Sequence, residues 1–216
     1  MIPMTLYSAA RSSASFRVRI ALHLKGLPHE IVPVSLLKNE HLSDDFKALN
    51  PTELVPVLEH KGRRLTQSLA IIEYLEETWP QPPLLPHEPA LRAYVRAAAL
   101  SIACEIHPLN NLRVLRYLVR DMAQSEEQKN AWYRHWVEQG LAQLEAWLAA
   151  EGRSGRFVLG DEVTLADVLI VPQIFNARRF DCRLDHVPTI MRIFDQCMSL
   201  PAFEAARPEK QADFAA

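Results

Sequence analysis

The sequence of 216 residues predicts a small α/β domain followed by an all-α domain. Short apolar runs alternate with helical patterns up to about residue 80, and after residue 88 the apolar residues recur almost only at helical spacing. Between these parts, residues 79–86 contain four prolines, which a helix cannot accommodate. We therefore predict domains at 1–80 and 88–216, joined by a linker at 81–87.

The first domain is predicted to contain a β-α-β unit, a second helix, and a hairpin that leads into a third helix. The predicted strands are 4–7, 29–34, 55–59 and 64–66, and the predicted helices are 12–25, 42–49 and 67–78. Gly26 is placed to end the first helix, because glycine readily adopts the left-handed conformation at that position. Pro33 indicates a strand end or an edge strand.

Four helices are predicted in the second domain, at 88–122, 126–150, 164–180 and 187–200. Thr164 and Asp167 have the spacing of a capping box, which we assign to folding. His107, Asn110 and Asn111 fall on the long helix at 88–122. His107 is either a structural histidine, which is the more common case for a lone histidine, or a ligand-binding residue.

Composition excludes several classes of function. A formal charge of −2 and a pI of about 6.4 argue against a nucleic-acid-binding domain. Three distant cysteines with no CxxC pair predict neither a disulfide framework nor a metal site, and they favour a reducing, cytoplasmic location. The sequence contains no apolar run of about 18 residues, so we predict no membrane span. The first residues do not resemble a signal peptide.

The segment Ser12-Ser13-Ala14-Ser15 is the leading candidate for the chemical centre. It lies between the first strand and the first helix, where unpaired N–H groups and the positive end of the helix dipole favour an anion. The serines can cap the helix or donate to such an anion, and spacing alone gives these two interpretations equal weight.

Two further positions have both a structural and a functional interpretation. Val55-Pro56 is either a proline at the start of a strand or a cis peptide that presents the backbone of Val55 to a peptide-like ligand, and spacing alone favours the former. Ser68 either caps the third helix or receives a carboxylate at its N-terminus, and spacing favours the cap. Candidate anion-binding residues are Arg11, Arg17, Arg113, Arg178 and Arg179.

A family resemblance becomes visible when seven segments are taken together. They are RSSASFRVRIAL at 11–22, ALNP at 48–51, LVPV at 54–57, QSLAIIEYLE at 67–76, IHPLNNL at 106–112, GDEVTLAD at 160–167 and ARRF at 177–180. Nearly end to end, the chain resembles the zeta class of the glutathione transferases. The resemblance implies the glutathione transferase fold, with an α/β thioredoxin-like N-terminal domain and an all-α C-terminal domain, glutathione as cofactor, and a homodimer.

The resemblance also implies roles for individual residues. Ser12 and Ser13 match the serines beside the cofactor sulfur, with Ser12 as the first choice of thiolate donor. Pro56 matches a cis proline. The other positions implied to bind the cofactor are Ser15, Arg17, His41, Val55, Gln67 and Ser68 in the first domain, and His107, Asn111, Leu112 and Arg113 in the second.

The implied activity is cis–trans isomerisation of maleylacetoacetate to fumarylacetoacetate, a step in tyrosine and phenylalanine breakdown, with Arg11 and Arg179 binding the two carboxylates. One departure is Ala14, which replaces a cysteine found in many members of the class. The alternatives are isomerisation of maleylpyruvate, against which Leu112 argues mildly, and general transfer of glutathione to halogenated acids. A variant in which Tyr7 activates the thiol, and a non-catalytic binding module, also remain open.

Overall fold

A computed structural model describes residues 4–214. The chain divides into two compact units: residues up to Pro83 together with the segment from Ser199 onward, and Leu84–Met198. The expectation about a signal peptide concerns the first residues, of which Met1, Ile2 and Pro3 lie outside the described range. Within that range, no helix is both long enough and apolar enough to cross a membrane.

A mixed four-stranded sheet forms the centre of the first unit. Its strands are β1 (Met4–Ser8), β2 (His29–Pro33), β3 (Val57–His60) and β4 (Arg63–Thr66), in the order β2-β1-β3-β4. β1 is parallel to β2 and antiparallel to β3, and β3 pairs antiparallel with β4. The parallel pair requires a crossover, and the intervening helix supplies it.

The helices of the first unit are α1 (Ser13–Leu24), α2 (Asp44–Leu49), α3 (Ser68–Thr78) and α9 (Pro201–Ala206). α1 packs against both α3 and α9. It ends two residues before the predicted glycine: Lys25 is its C-cap, and Gly26 follows with a φ of 60°, a conformation that no side chain opposes. The predicted elements of this unit are therefore present, with small shifts at their ends.

The C-terminal segment differs from the predicted division, which extended the second domain to residue 216. From Ser199 onward the chain belongs to the first unit. Phe203 and Ala206 on α9 are fully buried, and the buried Arg19 on α1 donates from Nε to the Ala206 carbonyl at 3.0 Å. Burial of this apolar face, together with the hydrogen bond, explains why the segment packs here.

An ion pair buried within the first unit holds the end of α3. Lys25 Nζ lies 2.7 Å from Glu76 Oε2 and also donates to the carbonyls of Trp79 and Pro82. The Lys25 side chain has no exposed surface. Three oxygen partners satisfy the three donors of the ammonium group, as a buried charge requires.

The second unit is helical. Its helices are α4 (Pro89–Leu100), α5 (Leu112–Arg120), α6 (Glu126–Glu151), α7 (Leu165–Arg179) and α8 (Pro188–Met198). α7 is its most buried helix, and the fully buried Asp167 carboxylate accepts from the Thr164 N–H, the Thr164 hydroxyl and the Val158 N–H. The contact between Thr164 and Asp167 agrees with the capping role assigned to them.

The predicted continuous helix at 88–122 is wrong. α4 ends at Leu100, a π-helical turn covers Ser101–Ile106, and a 3-10 turn covers His107–Asn110. Pro108 cannot donate a backbone hydrogen bond, and Asn111 is extended, with its side chain accepting from the Arg113 N–H. A new helix therefore begins at Leu112, and the candidate residues lie at a break between helices.

Candidate functional site

Ser12 occupies the N-cap of α1 in an extended conformation, and its Oγ accepts from the Ser15 N–H at 3.2 Å. A hydroxyl that accepts one hydrogen bond still has a proton to donate. Ser12 is half-buried, so a ligand can reach it. The two interpretations weighed from the sequence, a cap and an anion donor, are therefore compatible in one residue.

The neighbouring serines are less accessible. Ser13 is 4% exposed, and Ser15 is fully buried with its Oγ 3.3 Å from the Ala9 N–H. The contact with the Ala9 N–H shows that Ser15 supports the loop, and its predicted role in cofactor binding stays a prediction. Ala14 places a methyl group beside these serines, so the segment contains no thiol.

Sequence reasoning missed Arg19, which organises the loop between β1 and α1. This fully buried guanidinium donates to Ser8 Oγ at 2.9 Å, to the Ala9 carbonyl at 3.2 Å and to the Ala10 carbonyl at 3.0 Å. Burial lowers the pKa of Arg19 to about 10, which leaves it cationic at neutral pH. The arginine lies on a helix that the sequence predicted as apolar on several sides, and its partners are mostly backbone atoms that sequence patterns do not reveal.

Arg11 is exposed and contacts the C-terminal end of the chain. Its Nη2 donates to the Phe214 carbonyl at 3.2 Å, and its guanidinium carbon lies 4.8 Å from the centre of the Phe214 ring. Next to it, the Ala10 N–H donates to Asp213 Oδ2 at 2.9 Å. Asp213 and Phe214, which we call the tail, carried no sequence signal that pointed to this loop.

The start of α3 corrects one expectation about Ser68. Gln67, with a φ of 67° and a ψ of 117°, occupies the N-cap and makes no side-chain capping bond. Such a backbone conformation is rare for a residue with a side chain, and strained residues of this kind concentrate at functional sites. Ser68 is instead the first helical residue, and its Oγ accepts from Arg17 Nη1 at 3.3 Å.

Arg17 and Ser68 give the N-terminus of α3 an electropositive character. Arg17 is 2% exposed and Ser68 is 6% exposed. A buried guanidinium, a hydroxyl with its proton available and the positive end of a helix dipole all favour a carboxylate. The first unit thus brings Arg17, Gln67 and Ser68 together, and Arg17 is positioned to support Ser68.

Val55 and Pro56 are joined by a cis peptide bond, as the family resemblance implied. The side chain of Val55 is half-buried and packs, with Tyr7, against Val34, Phe46 and Val57. Tyr7 therefore packs as a strand residue, which agrees with its structural interpretation. His41, in a 3-10 turn at Glu40–Leu42, is 8% exposed.

The second unit holds the remaining candidates in two places, the start of α5 with the turn before it, and the end of α7. His107 opens the 3-10 turn, and Asn111, Leu112 and Arg113 form the start of α5, where Arg113 is exposed. Trp132 on α6 donates to the Leu109 carbonyl at 2.8 Å and so anchors the turn.

Arg179 is the last residue of α7 and is exposed. Its Nη1 lies 3.4 Å from Asn176 Oδ1, and its guanidinium lies 5.2 Å from the centre of the Phe180 ring. Phe180 stacks on Tyr133 with a centroid distance of 3.8 Å. Arg178 points to another partner, since its guanidinium lies 4.4 Å from the Phe194 ring.

Within residues 4–214, no group of three or more His, Cys, Asp or Glu side chains could hold a metal ion. The chemistry that the candidate residues offer is donation to anions: hydroxyls at the N-termini of α1 and α3, and the guanidinium groups of Arg11, Arg17 and Arg179.

Two family models match this sequence. The glutathione S-transferase N-terminal domain matches residues 11–78, and the glutathione S-transferase C-terminal domain matches residues 110–201. The chain is 46% identical over 215 residues to the probable maleylacetoacetate isomerase of Vibrio cholerae serotype O1, covering 99% of each protein. It is 47% identical to the maleylpyruvate isomerase of a Ralstonia species, covering 98% of this chain and 100% of that one.

Solved structures agree with these sequence relatives. The holo structure of maleylpyruvate isomerase, described as a bacterial glutathione S-transferase of the zeta class, superposes with a TM-score of 0.95 at 47% identity, covering 97% of this chain and 99% of that one. The maleylacetoacetate isomerase of Anaeromyxobacter dehalogenans, solved with dicarboxyethyl glutathione and citrate in its active site, has a TM-score of 0.86 at 42% identity, covering 98% and 94%.

Proposed function

Because the chain belongs to the glutathione S-transferase family, and within it to the zeta class, we propose that it catalyses the glutathione-dependent cis–trans isomerisation of maleylacetoacetate to fumarylacetoacetate. The observation that carries this proposal is the position of Ser12. Its hydroxyl caps α1 and retains a proton at the positive end of the helix dipole, which is the environment that an anionic sulfur requires.

The residues of the first unit fit glutathione. Ser12 and Ser13 would lie at the sulfur, the backbone of Val55 at the cysteinyl part, and Gln67 and Ser68 at the γ-glutamyl carboxylate, with His41 toward the glycyl end. The fit rests on donor chemistry: Ser68 accepts from Arg17 and keeps its own proton for a carboxylate. When bound, glutathione supplies a thiolate that adds reversibly to the conjugated double bond, and the resulting single bond can rotate.

Ser12 would lower the pKa of that thiol. An ordinary cysteine thiol has a pKa of about 8.5 and is mostly protonated at neutral pH. A hydroxyl that donates to the sulfur and a helix N-terminus directed at it both favour the thiolate. Since Ala14 offers no thiol, the protein itself would form no covalent bond with the cofactor at this position.

The substrate carries two carboxylates, and arginine side chains match them. Arg11 in the first unit and Arg179 in the second are our assignments for these contacts, because each is exposed and each is held beside an aromatic ring. His107, Asn111, Leu112 and Arg113 are proposed to contribute further contacts to the cofactor or the diacid.

Maleylpyruvate is the second candidate substrate, favoured by the 47% identity to the Ralstonia enzyme and by the TM-score of 0.95. Both diacids contain the same maleyl group, so each residue would have the same role with either substrate. The discriminating experiment measures kcat/KM for both diacids, with and without glutathione. We expect strict dependence on glutathione and a preference for maleylacetoacetate, and a higher kcat/KM for maleylpyruvate would reverse the assignment.

Turnover of neither diacid, with retained binding to a glutathione-affinity resin, would favour transfer of glutathione to halogenated acids. Failure to bind the resin would favour a non-catalytic module. We further propose a homodimer, supported by the family. We also propose a cytoplasmic location, supported by the free thiols of Cys104, Cys182 and Cys197. Light scattering and cell fractionation test these two points.

A further inference from the structure

We propose that Asp213 and Phe214, near the end of the chain, are positioning residues for Arg11 and thereby set the affinity for the dicarboxylate. The inference rests on the proposed function, because it takes Arg11 as a carboxylate-binding side chain. The proposed reaction mechanism uses neither Asp213 nor Phe214.

Asp213 and Phe214 both contact the loop that precedes Ser12. Asp213 Oδ2 accepts from the Ala10 N–H at 2.9 Å, although the two residues are 203 positions apart in sequence. Phe214 provides two contacts to Arg11: its carbonyl accepts from Nη2 at 3.2 Å, and its ring lies 4.8 Å from the guanidinium carbon. The tail therefore holds both the backbone and the side chain at this point.

The backbone of Ala9 and Ala10 depends on distant partners. The Ala9 N–H donates to Ser15 Oγ, and Arg19 donates to both carbonyls. Ala10 is 2% exposed, so water cannot easily replace Asp213 as the acceptor for its N–H. Asp213 thus completes the hydrogen bonding of a buried loop that carries Arg11 at its exposed end.

Charge complementarity supports the same arrangement. The Asp213 carboxylate lies near Arg19, where burial lowers the pKa of the guanidinium and the carboxylate opposes that shift. The tail therefore supplies a negative charge beside two arginines: Arg11 in the loop, and Arg19 on α1, which donates to the loop carbonyls.

Arg11 gains pre-organisation from these contacts. An exposed arginine samples many rotamers, and ordering it on binding costs affinity. Phe214 restricts those rotamers before the ligand arrives. The bond to the Phe214 carbonyl uses one N–H group, and the guanidinium has five, so others remain to form a bidentate pair with a carboxylate.

The test measures binding affinity. Isothermal titration calorimetry gives Kd for glutathione and for S-(1,2-dicarboxyethyl)glutathione, a thioether that adds two carboxylates to the same cofactor. The double variant Asp213→Ala/Phe214→Ala removes the hydrogen bond from the Ala10 N–H to the Asp213 carboxylate and the ring beside Arg11, and it keeps the carbonyl of residue 214. We expect Kd for the thioether to rise about tenfold, the equivalent of the lost hydrogen bond to a charged group, and Kd for glutathione to stay within about twofold.

Two further variants separate the effect from general damage. Asp213→Asn keeps an oxygen that can accept from the Ala10 N–H, and it should retain an affinity within about threefold of the wild type. Glu209→Ala removes a carboxylate of the same segment that contacts Arg207, away from the loop, and it should leave both Kd values unchanged.

A double-mutant cycle with Arg11→Ala decides whether the tail acts through Arg11. If it does, adding the tail substitutions to Arg11→Ala causes no further loss of affinity for the thioether. Additive losses, an equal loss of affinity for glutathione, or unchanged binding by the tail variant would each overturn the inference. If the wild type binds the thioether but isomerises neither diacid, the proposed function fails, and the affinity comparison still decides the role of the tail.

Discussion

Replacing Arg19 with methionine is expected to destabilise the first unit severely. Methionine fills much of the space of the arginine stem but donates no hydrogen bond. The substitution removes donors from four acceptors: Ser8 Oγ and the carbonyls of Ala9, Ala10 and Ala206. At a net value of about 1 kcal/mol for each bond, the loss is about 4 kcal/mol. Disruption of buried charged networks has a similar cost, about 3–5 kcal/mol.

Equilibrium unfolding in urea, followed by circular dichroism, gives the free energy of unfolding for each variant. Arg63→Met is the matched control, since Arg63 is exposed on β4 and its replacement should change stability by about 0.5 kcal/mol at most. Arg19→Lys should lie between methionine and wild type, because one ammonium group cannot reach all four acceptors. A loss below about 1 kcal/mol for Arg19→Met would refute the assignment of Arg19 as the organiser of this loop.

Four shorter predictions follow from other residues. Ser12→Ala should lower kcat by about 100-fold or more while the far-UV circular dichroism spectrum stays unchanged, and near-normal turnover would remove Ser12 from its role. Arg179→Ala should raise KM for the diacid or lower kcat, and unchanged kinetics would place it outside the site. Gly140→Ala should cost about 1–3 kcal/mol in urea unfolding, since its methyl group would come within 2.7 Å of Ile106 Cδ1, whereas unchanged stability would show that Ile106 moves freely. Burial raises the pKa of Asp167 to about 6 from 3.8, so the native state holds this proton more tightly than the unfolded chain. The resulting stability is present below pH 4, and about 3 kcal/mol of it is lost as the pH rises through 6. Asp167→Asn should flatten this dependence of the free energy of unfolding on pH, and an unchanged dependence would contradict the role of Asp167.

Local patterns were sufficient to predict much of the first unit. The apolar run at Met4–Ser8, the glycine after α1 and the hairpin at β3 and β4 all depend on residues close in sequence, and each was predicted near its observed place. The position of Ser12 was predicted for the same reason, since an N-cap is defined by its own helix.

Long-range partners could not be predicted. Arg19 and Lys25 are buried because carbonyls far along the chain accept from them, and no spacing in the sequence encodes such pairs. The prediction of one continuous helix at 88–122 was wrong for a different reason. Its alanine-rich composition suits a helix throughout, and the break at Pro108 and Asn111 depends on how Trp132 and Gly140 on α6 hold the turn.

Ala14 stands where the family resemblance led us to expect a cysteine in many members, and this has a consequence for the exposure of the loop to its substrate. Maleyl compounds alkylate thiols, and a cysteine near a helix N-terminus would be unusually reactive because its pKa is lowered there. All three cysteines of this chain belong to the second unit, so the loop at the start of α1 offers the electrophile no protein nucleophile of that kind. This loop should therefore not be inactivated by alkylation of a cysteine.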